Sequence, residues 1–146
     1  MKKTIFLALS VCMFFACSKS NTESEDQQIK NYLTKKNWTA QTTPEGLYYI
    51  IDSTGTGGNP TVNSTVSVKY KGYLLDETVF DQNTTGMPPF SLNSVIAGWQ
   101  IGIPKFKKGG KGKLLIPSSL GYGSYGSGSI PGNAPIVFEI ELVSFK

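Results

Sequence analysis

The sequence predicts an α+β domain in which a curved antiparallel sheet of about five strands carries one short helix laid across it. Three observations predict this class. From Gly46 onward, segments in which apolar and polar side chains alternate every two residues recur between loops rich in Gly, Asn, Pro and Ser. One helical stretch, Val95 to Ile103, interrupts them and is too short to stand without a larger apolar surface. No internal repeat divides the 146 residues, a length that allows one domain with a substantial core.

The elements follow in order. Met1-Lys2-Lys3 and the apolar run Thr4 to Ala16 have the charged start and short hydrophobic stretch of a secretory signal, so residues 1–16 read as a signal peptide. Cys17 follows a small residue, Ala16, an arrangement that resembles the lipobox of bacterial lipoproteins, in which the cysteine is lipidated and becomes the mature N-terminus. An ordinary signal peptide cleaved nearby is the competing reading, and Cys12 lies inside the apolar run behind Val11. Residues 17–45 then comprise the lipidated cysteine, a polar tether from Ser18 to Asp26, and a short helix. The implied location is the bacterial cell envelope, anchored by lipid to a membrane at its periplasmic face or the outer surface. Ser24-Glu25-Asp26-Gln27 fits a capping box, Ile29, Tyr32 and Leu33 share a face, and Lys35 and Lys36 lead to an end near Asn37. This helix reads as a spacer that packs on the domain.

Gly46 to Asp52 is a strand with both faces partly covered, since Leu47, Tyr49 and Ile51 alternate with Tyr48 and Ile50. Thr65 to Tyr73 is the next, with Val66, Val68 and Tyr70 on one side and Ser67, Lys69 and Lys71 on the other. Asp76-Glu77 turns the chain into Val79-Phe80-Asp81, Gln82 to Pro88 reads as a polar loop, and Phe90-Ser91-Leu92 is a brief strand. In the helix that follows, Trp99 and Ile103 share one face, while Gly98 and Gly102 leave a second face without bulk against which a sheet can close. Pro104 is expected to stop it. Lys113 to Ile116 is a strand ended by Pro117, and Lys111 and Lys113 are expected to keep a strand edge soluble rather than to bind an anion. Ser118 to Pro135 is a connection far longer than usual, a length that commonly signals function. Ile136 to Phe145 closes the domain, with Ile136, Phe138, Ile140 and Leu142 facing one way and Glu139 and Glu141 the other.

Composition narrows the chemistry. Every basic residue is lysine, and removing Lys2 and Lys3 takes the formal charge from +4 to +2, too little and too scattered for nucleic acid. Without histidine, and without a free cysteine beyond Cys17, the usual acid/base, nucleophile and zinc-ligand types are missing, so no metal and no cofactor is expected. What remains is aromatic. Tyr70, Phe80, Phe90, Trp99, Tyr122 and Phe138 fall on strands, on the short helix or on the long loop, and with Val95, Ile96 and Ile130 they are candidates to line one apolar pocket, with Asp81 at its wall. Core packing is the plainer reading of each aromatic taken singly, a turn residue that of Asp81, and a loop anchor that of Tyr122.

Six segments, in this order, resemble the FKBP family of peptidyl-prolyl cis-trans isomerases: Val68-Lys-Tyr-Lys-Gly72, Val79-Phe-Asp81, Val95-Ile-Ala-Gly-Trp99, Leu120-Gly-Tyr-Gly123, Ile130-Pro131 and Ile136-Val-Phe-Glu-Ile-Glu-Leu142. They span roughly residues 46–146, which the resemblance makes the isomerase domain, with a half-wrapped sheet around the short helix. It implies proline-containing polypeptides as partners and macrolides as possible inhibitors. It also implies that a substrate proline sits on Trp99 in a pocket of Tyr70, Phe80, Val95, Ile96, Trp99 and Phe138, with Phe90 and Ile130 at the rim. The Ile96 amide and the Tyr122 hydroxyl would bond the peptide, and Asp81 would accept from Tyr70 or act near the twisting carbonyl. The chain differs from the common pattern at Ala97 and Ser118-Ser119-Leu120, and offers Asp81 no basic partner within Gln82 to Pro89. A peptide-holding module of the same fold with weak or no turnover is the alternative function, and a structural lipoprotein without ligand is the third.

Overall fold

The structure, a computed structural model, describes residues 23–146; the expected signal peptide, the lipidated Cys17 and most of the tether lie outside the described residues. Helix α1 (Glu25–Lys36) begins where its capping chemistry places it. Ser24 is extended and its hydroxyl accepts from the Gln27 amide at 3.2 Å, while the acids of the first turn and the lysines of the last suit the helix dipole. The Gln27 side chain bonds Asn31 instead of completing the capping box. Asn37 ends the helix in the left-handed region at φ 54°, and the amides of Asn37 and Trp38 donate back to Thr34 and Leu33. Ile29, Tyr32 and Leu33 bury against Tyr48, Tyr73, Leu115 and Val137, so α1 is a second layer of the domain. Glu25 and Asp26, read as tether residues, are docking groups: Glu25 accepts from Ser118, and Asp26 from the Tyr48 hydroxyl at 2.5 Å.

The strands are β1 (Gln41–Thr42), β2 (Tyr48–Ser53), β3 (Thr65–Leu74), β4 (Val79–Asn83), β5 (Phe90–Ser91), β6 (Lys111–Ile116) and β7 (Ile136–Phe145). They form one antiparallel sheet in the order β1-β2-β6-β7-β3-β4, with β5 also on β3. Two-residue β1 is too short for alternation to reveal it. One edge of β3 is shared: β4 pairs with Tyr70 to Tyr73, β5 with Thr65 and Val66, and between them the Met87 amide donates to the Val68 carbonyl at 2.9 Å. The segment read as a polar loop from Gln82 is therefore strand as far as Asn83. β6 lies between β2 and β7 rather than at an edge, and its lysines are paired, Lys113 with Asp52 and Lys111 with Glu141.

The inner face of the sheet holds the larger core, with Leu47, Val66, Val68, Leu114, Ile116 and Leu142 among its fully buried side chains. Across it lies α2 (Ala97–Gly102), which begins two residues later than the sequence pattern indicates. Val95 and Ile96 stay extended, at ψ 179° and 148°, as suits a β-branched pair, and the Ile96 carbonyl accepts from the amides of Trp99 and Gln100. Pro104 does not end the helix; it sits in a 3₁₀ turn, Ile103–Lys105, that follows directly, where its missing N–H leaves no bond unmade. A Cβ on Gly98 would stand 2.5 Å from Ile116 and one on Gly102 2.5 Å from Leu114, so the bare face of α2 does rest on β6. The long connection from Ser118 opens with a 3₁₀ turn and is tied by its own backbone: Gly123 to Ser118 at 2.8 Å, Asn133 to Gly123 at 2.9 Å, and Ser127 and Ile130 to each other.

Candidate active site

Between β3, β4, the start of α2 and the long connection lies a cavity of about 280 Å³, open to solvent. Trp99 lies at its base, 6 % exposed. Its ring meets Tyr70 edge-on at 5.2 Å and 76°, Phe138 at 5.0 Å and 78°, and Phe90 tilted at 5.9 Å and 40°. Alternation along β3 and β7 delivers Tyr70 and Phe138 to this face. Val95 and Ile96 reach the cavity because the chain is still extended there, and Tyr122 comes from the long connection. Phe80 meets Phe138 edge-on at 5.5 Å and Phe90 leans on Trp99, so both support the lining rings without lining the cavity; Ile130 packs in the core at 7 % exposure. Gly72 makes room, since a Cβ there would come 2.6 Å from Phe80 and 2.7 Å from Phe138.

Met87 and Ser94 also line the cavity, and sequence reasoning missed both. Met87 is delivered by backbone: besides its bond to Val68, its carbonyl accepts from the Ser67 hydroxyl at 2.6 Å, which lays the loop along β3. Its one visible signal was an apolar residue in a polar stretch. Ser94 had none.

Asp81 is the one charged side chain lining the cavity among the described residues. Its partner is not a base but Tyr70, whose hydroxyl donates to Oδ2 at 2.6 Å. Burial, then this bond and the Asp81 charge, push the Tyr70 phenol far above its ordinary range. Burial and then Asp81 also push Tyr122 upward, so both hydroxyls remain donors at any ordinary pH. Trp99 Nε1 finds no acceptor among the described residues, so packing alone seats the ring. No group of three or more His, Cys, Asp or Glu among the described residues is placed to hold a metal. Such a site can grip an uncharged ring and orient an amide, and it offers no nucleophile beside a base. A larger concavity, about 450 Å³, lies on the other face, where Lys69 and Lys111 share Glu141 and Lys113 pairs with Asp52.

The sequence profile described as FKBP-type peptidyl-prolyl cis-trans isomerase matches residues 57–143. The chain belongs to the FKBP family. FKBP-type relatives named FkpA are 42 % identical over 108 residues in Aeromonas hydrophila, covering 73 % of this chain and 40 % of that protein, and 38 % identical over 129 residues in Escherichia coli K12, covering 87 % and 47 %. This FKBP chain thus spans less than half the length of those relatives. The crystal structure of FkpA from Escherichia coli superposes with a TM-score of 0.75 at 38 % identity, over 84 % of this chain and 59 % of that one. A peptidyl-prolyl cis-trans isomerase from Pseudomonas syringae pv. tomato superposes with 0.72 at 34 %, over 80 % and 90 %. Both share the fold of this chain, the half-wrapped sheet around a short helix.

Proposed function

We propose that this FKBP domain catalyses cis–trans isomerisation of X-Pro bonds in exported polypeptides. The observation that carries the reading is the cavity itself: an aromatic floor and walls, flanked by two phenols held protonated and by one carboxylate already paired. Rotation about the peptide bond faces a barrier of about 18–20 kcal/mol because twisting destroys amide resonance, and no covalent bond need break. The missing residue types are therefore no handicap. A proline ring on Trp99, walled by Tyr70 and Phe138, takes the amide out of water and favours its less polar twisted form over the planar one. The Ile96 N–H and the Tyr122 hydroxyl hold the chain on either side. Each tenfold in rate needs about 1.4 kcal/mol of preferential binding to the twisted state. In a proline-limited refolding assay the wild-type chain is expected to accelerate the slow phase, and Trp99→Leu or Tyr70→Ala to lose that effect while remaining folded. A wild type no faster than these variants rejects the reading and leaves a peptide holder.

The anchor belongs to the same proposal. Cys17 is lipidated after removal of residues 1–16 and holds the domain on a membrane of the bacterial cell envelope, at the periplasmic face or the outer surface; the support is the signal-like run and Ala16-Cys17. No helix among the described residues is long and apolar enough to cross a membrane. Mass spectrometry of the mature N-terminus decides this, and an unmodified Cys17 rejects it. Macrolides are proposed to compete for the Trp99 cavity, read as quenching or enhancement of Trp99 emission.

A further inference from the structure

We propose that Glu25, in the first turn of α1, is a positioning residue for Tyr122, so that the N-terminal helix sets the geometry of the pocket. The proposal rests on the isomerase reading for its catalytic consequence, but not for its structural one. The two oxygens of Glu25 are both engaged: one accepts from the Ser118 amide and the other from the Ser118 hydroxyl, each at 2.6 Å, across 93 residues of sequence. Ser118 is 6 % exposed, so neither donor has water as a ready substitute. The carbonyl of the same residue accepts from Gly121 at 2.9 Å and Gly123 at 2.8 Å, the two residues flanking Tyr122. Ser118 is therefore a node, with α1 on its donors and the Tyr122 turn on its acceptor. Tyr122 is partly buried against the larger core, but its chain neighbours Gly121, Gly123 and Ser124 carry almost no side chain, so the backbone that aims its ring is held by those bonds. The first turn of α1 is itself pinned to the sheet by the Tyr48 bond to Asp26, which makes it a rigid support for the Glu25 carboxylate.

The test is a double-mutant cycle on the full chain with a proline tetrapeptide. Glu25→Ala is expected to lower kcat/KM about tenfold when Tyr122 is present and by less than about twofold in a Tyr122→Phe background, because the hydroxyl it places is then gone. Glu25→Gln, which keeps an oxygen toward Ser118, should recover most of the loss. Equal losses in both backgrounds, or none in either, overturn the proposal. Amide hydrogen exchange supplies a readout that needs no turnover: Gly121 and Gly123 should exchange about tenfold faster in Glu25→Ala while the β3 amides stay unchanged. Unchanged exchange at those glycines overturns the latch. A wild type without isomerase activity rejects the proposed function and leaves exchange to decide the latch alone. Should Glu25→Ala fail to fold, Ser118→Ala, which removes the hydroxyl that Glu25 holds, carries both measurements, with a smaller expected effect of the same pattern.

Discussion

Tyr70 on β3 holds Asp81 on β4 as a diagonal pair, since Gly72 is the residue directly opposite Asp81. The ring of Tyr70 and its hydroxyl therefore do separable work, the ring against Trp99 and Phe138, the hydroxyl on the carboxylate. Tyr70→Phe keeps the first and deletes the second. Expected is a fall in kcat/KM of about three- to tenfold, with stability changed by less than about 1 kcal/mol because the bond is exposed to water. The refolding assay and a urea titration check the two halves. A loss as large as that of Tyr70→Ala would mean that the carboxylate, not the aromatic wall, governs turnover. Residues such as Tyr70, Trp99 and Phe138 were legible in the sequence because alternation and helical spacing fix which way they face. Met87 and Ser94 were not, because a loop brings in Met87 and the short 3₁₀ turn Leu92–Ser94 brings in Ser94, and neither has a period long enough to read. The partner of Asp81 was legible only through the family pattern, since Gln82 to Pro89 holds no base to pair with it.

Among the elements, α1 shows what local chemistry can specify: Ser24, Asn37 and the three apolar residues between them fix both ends and the buried face. Its docking through Glu25 and Asp26 was not legible, because acids in a first turn are equally explained by the helix dipole. The start of α2 was misplaced for a related reason. Val95 and Ile96 extend the apolar pattern of the helix, yet their branched side chains hold them in the extended state, which gives the pocket its lip. The two glycines of α2 were correctly expected to seat it. Gly98→Ala must displace Ile116 and Gly102→Ala must displace Leu114, side chains that are fully buried and have little room to yield. Each is expected to cost about 1–3 kcal/mol despite alanine's better helix propensity. Urea unfolding checks the cost, and a shift in the Trp99 emission of the native state checks that the helix has lifted. Alanine variants as stable as wild type would show that α2 tolerates a looser seat.

Over the described residues, one sheet is covered on its inner side by α2 and the long connection and on part of its outer side by α1. The strand order could not be read from alternation, which assigns faces but not neighbours; the ordered motifs implied only the half-wrapped sheet, by resemblance. This two-sided burial has a consequence in alkali. Tyr32 on α1 and Tyr48 and Tyr73 beneath it are 4, 7 and 5 % exposed, Tyr70 and Tyr122 line the pocket, and burial pushes all five phenols above their ordinary value of 10. In the unfolded chain they ionise near pH 10, while in the native chain they keep their protons. The native state then binds more protons than the unfolded one, so stability falls as pH rises above about 10. Lys30 and Lys36, raised by bonds to Asp26 and Glu77, act in the same direction but weakly, being exposed. With no histidine in the chain, the urea midpoint is expected to be nearly flat from about pH 6 to 9 and then to drop steeply. Tyr32→Phe separates this cause from general alkaline damage. The Tyr32 hydroxyl has no hydrogen-bond partner among the described residues, so its removal should leave the midpoint at pH 7 unchanged or higher. It also deletes one titrating group, and the fall above pH 10 should become shallower; a fall as steep as in wild type would place the alkaline sensitivity elsewhere.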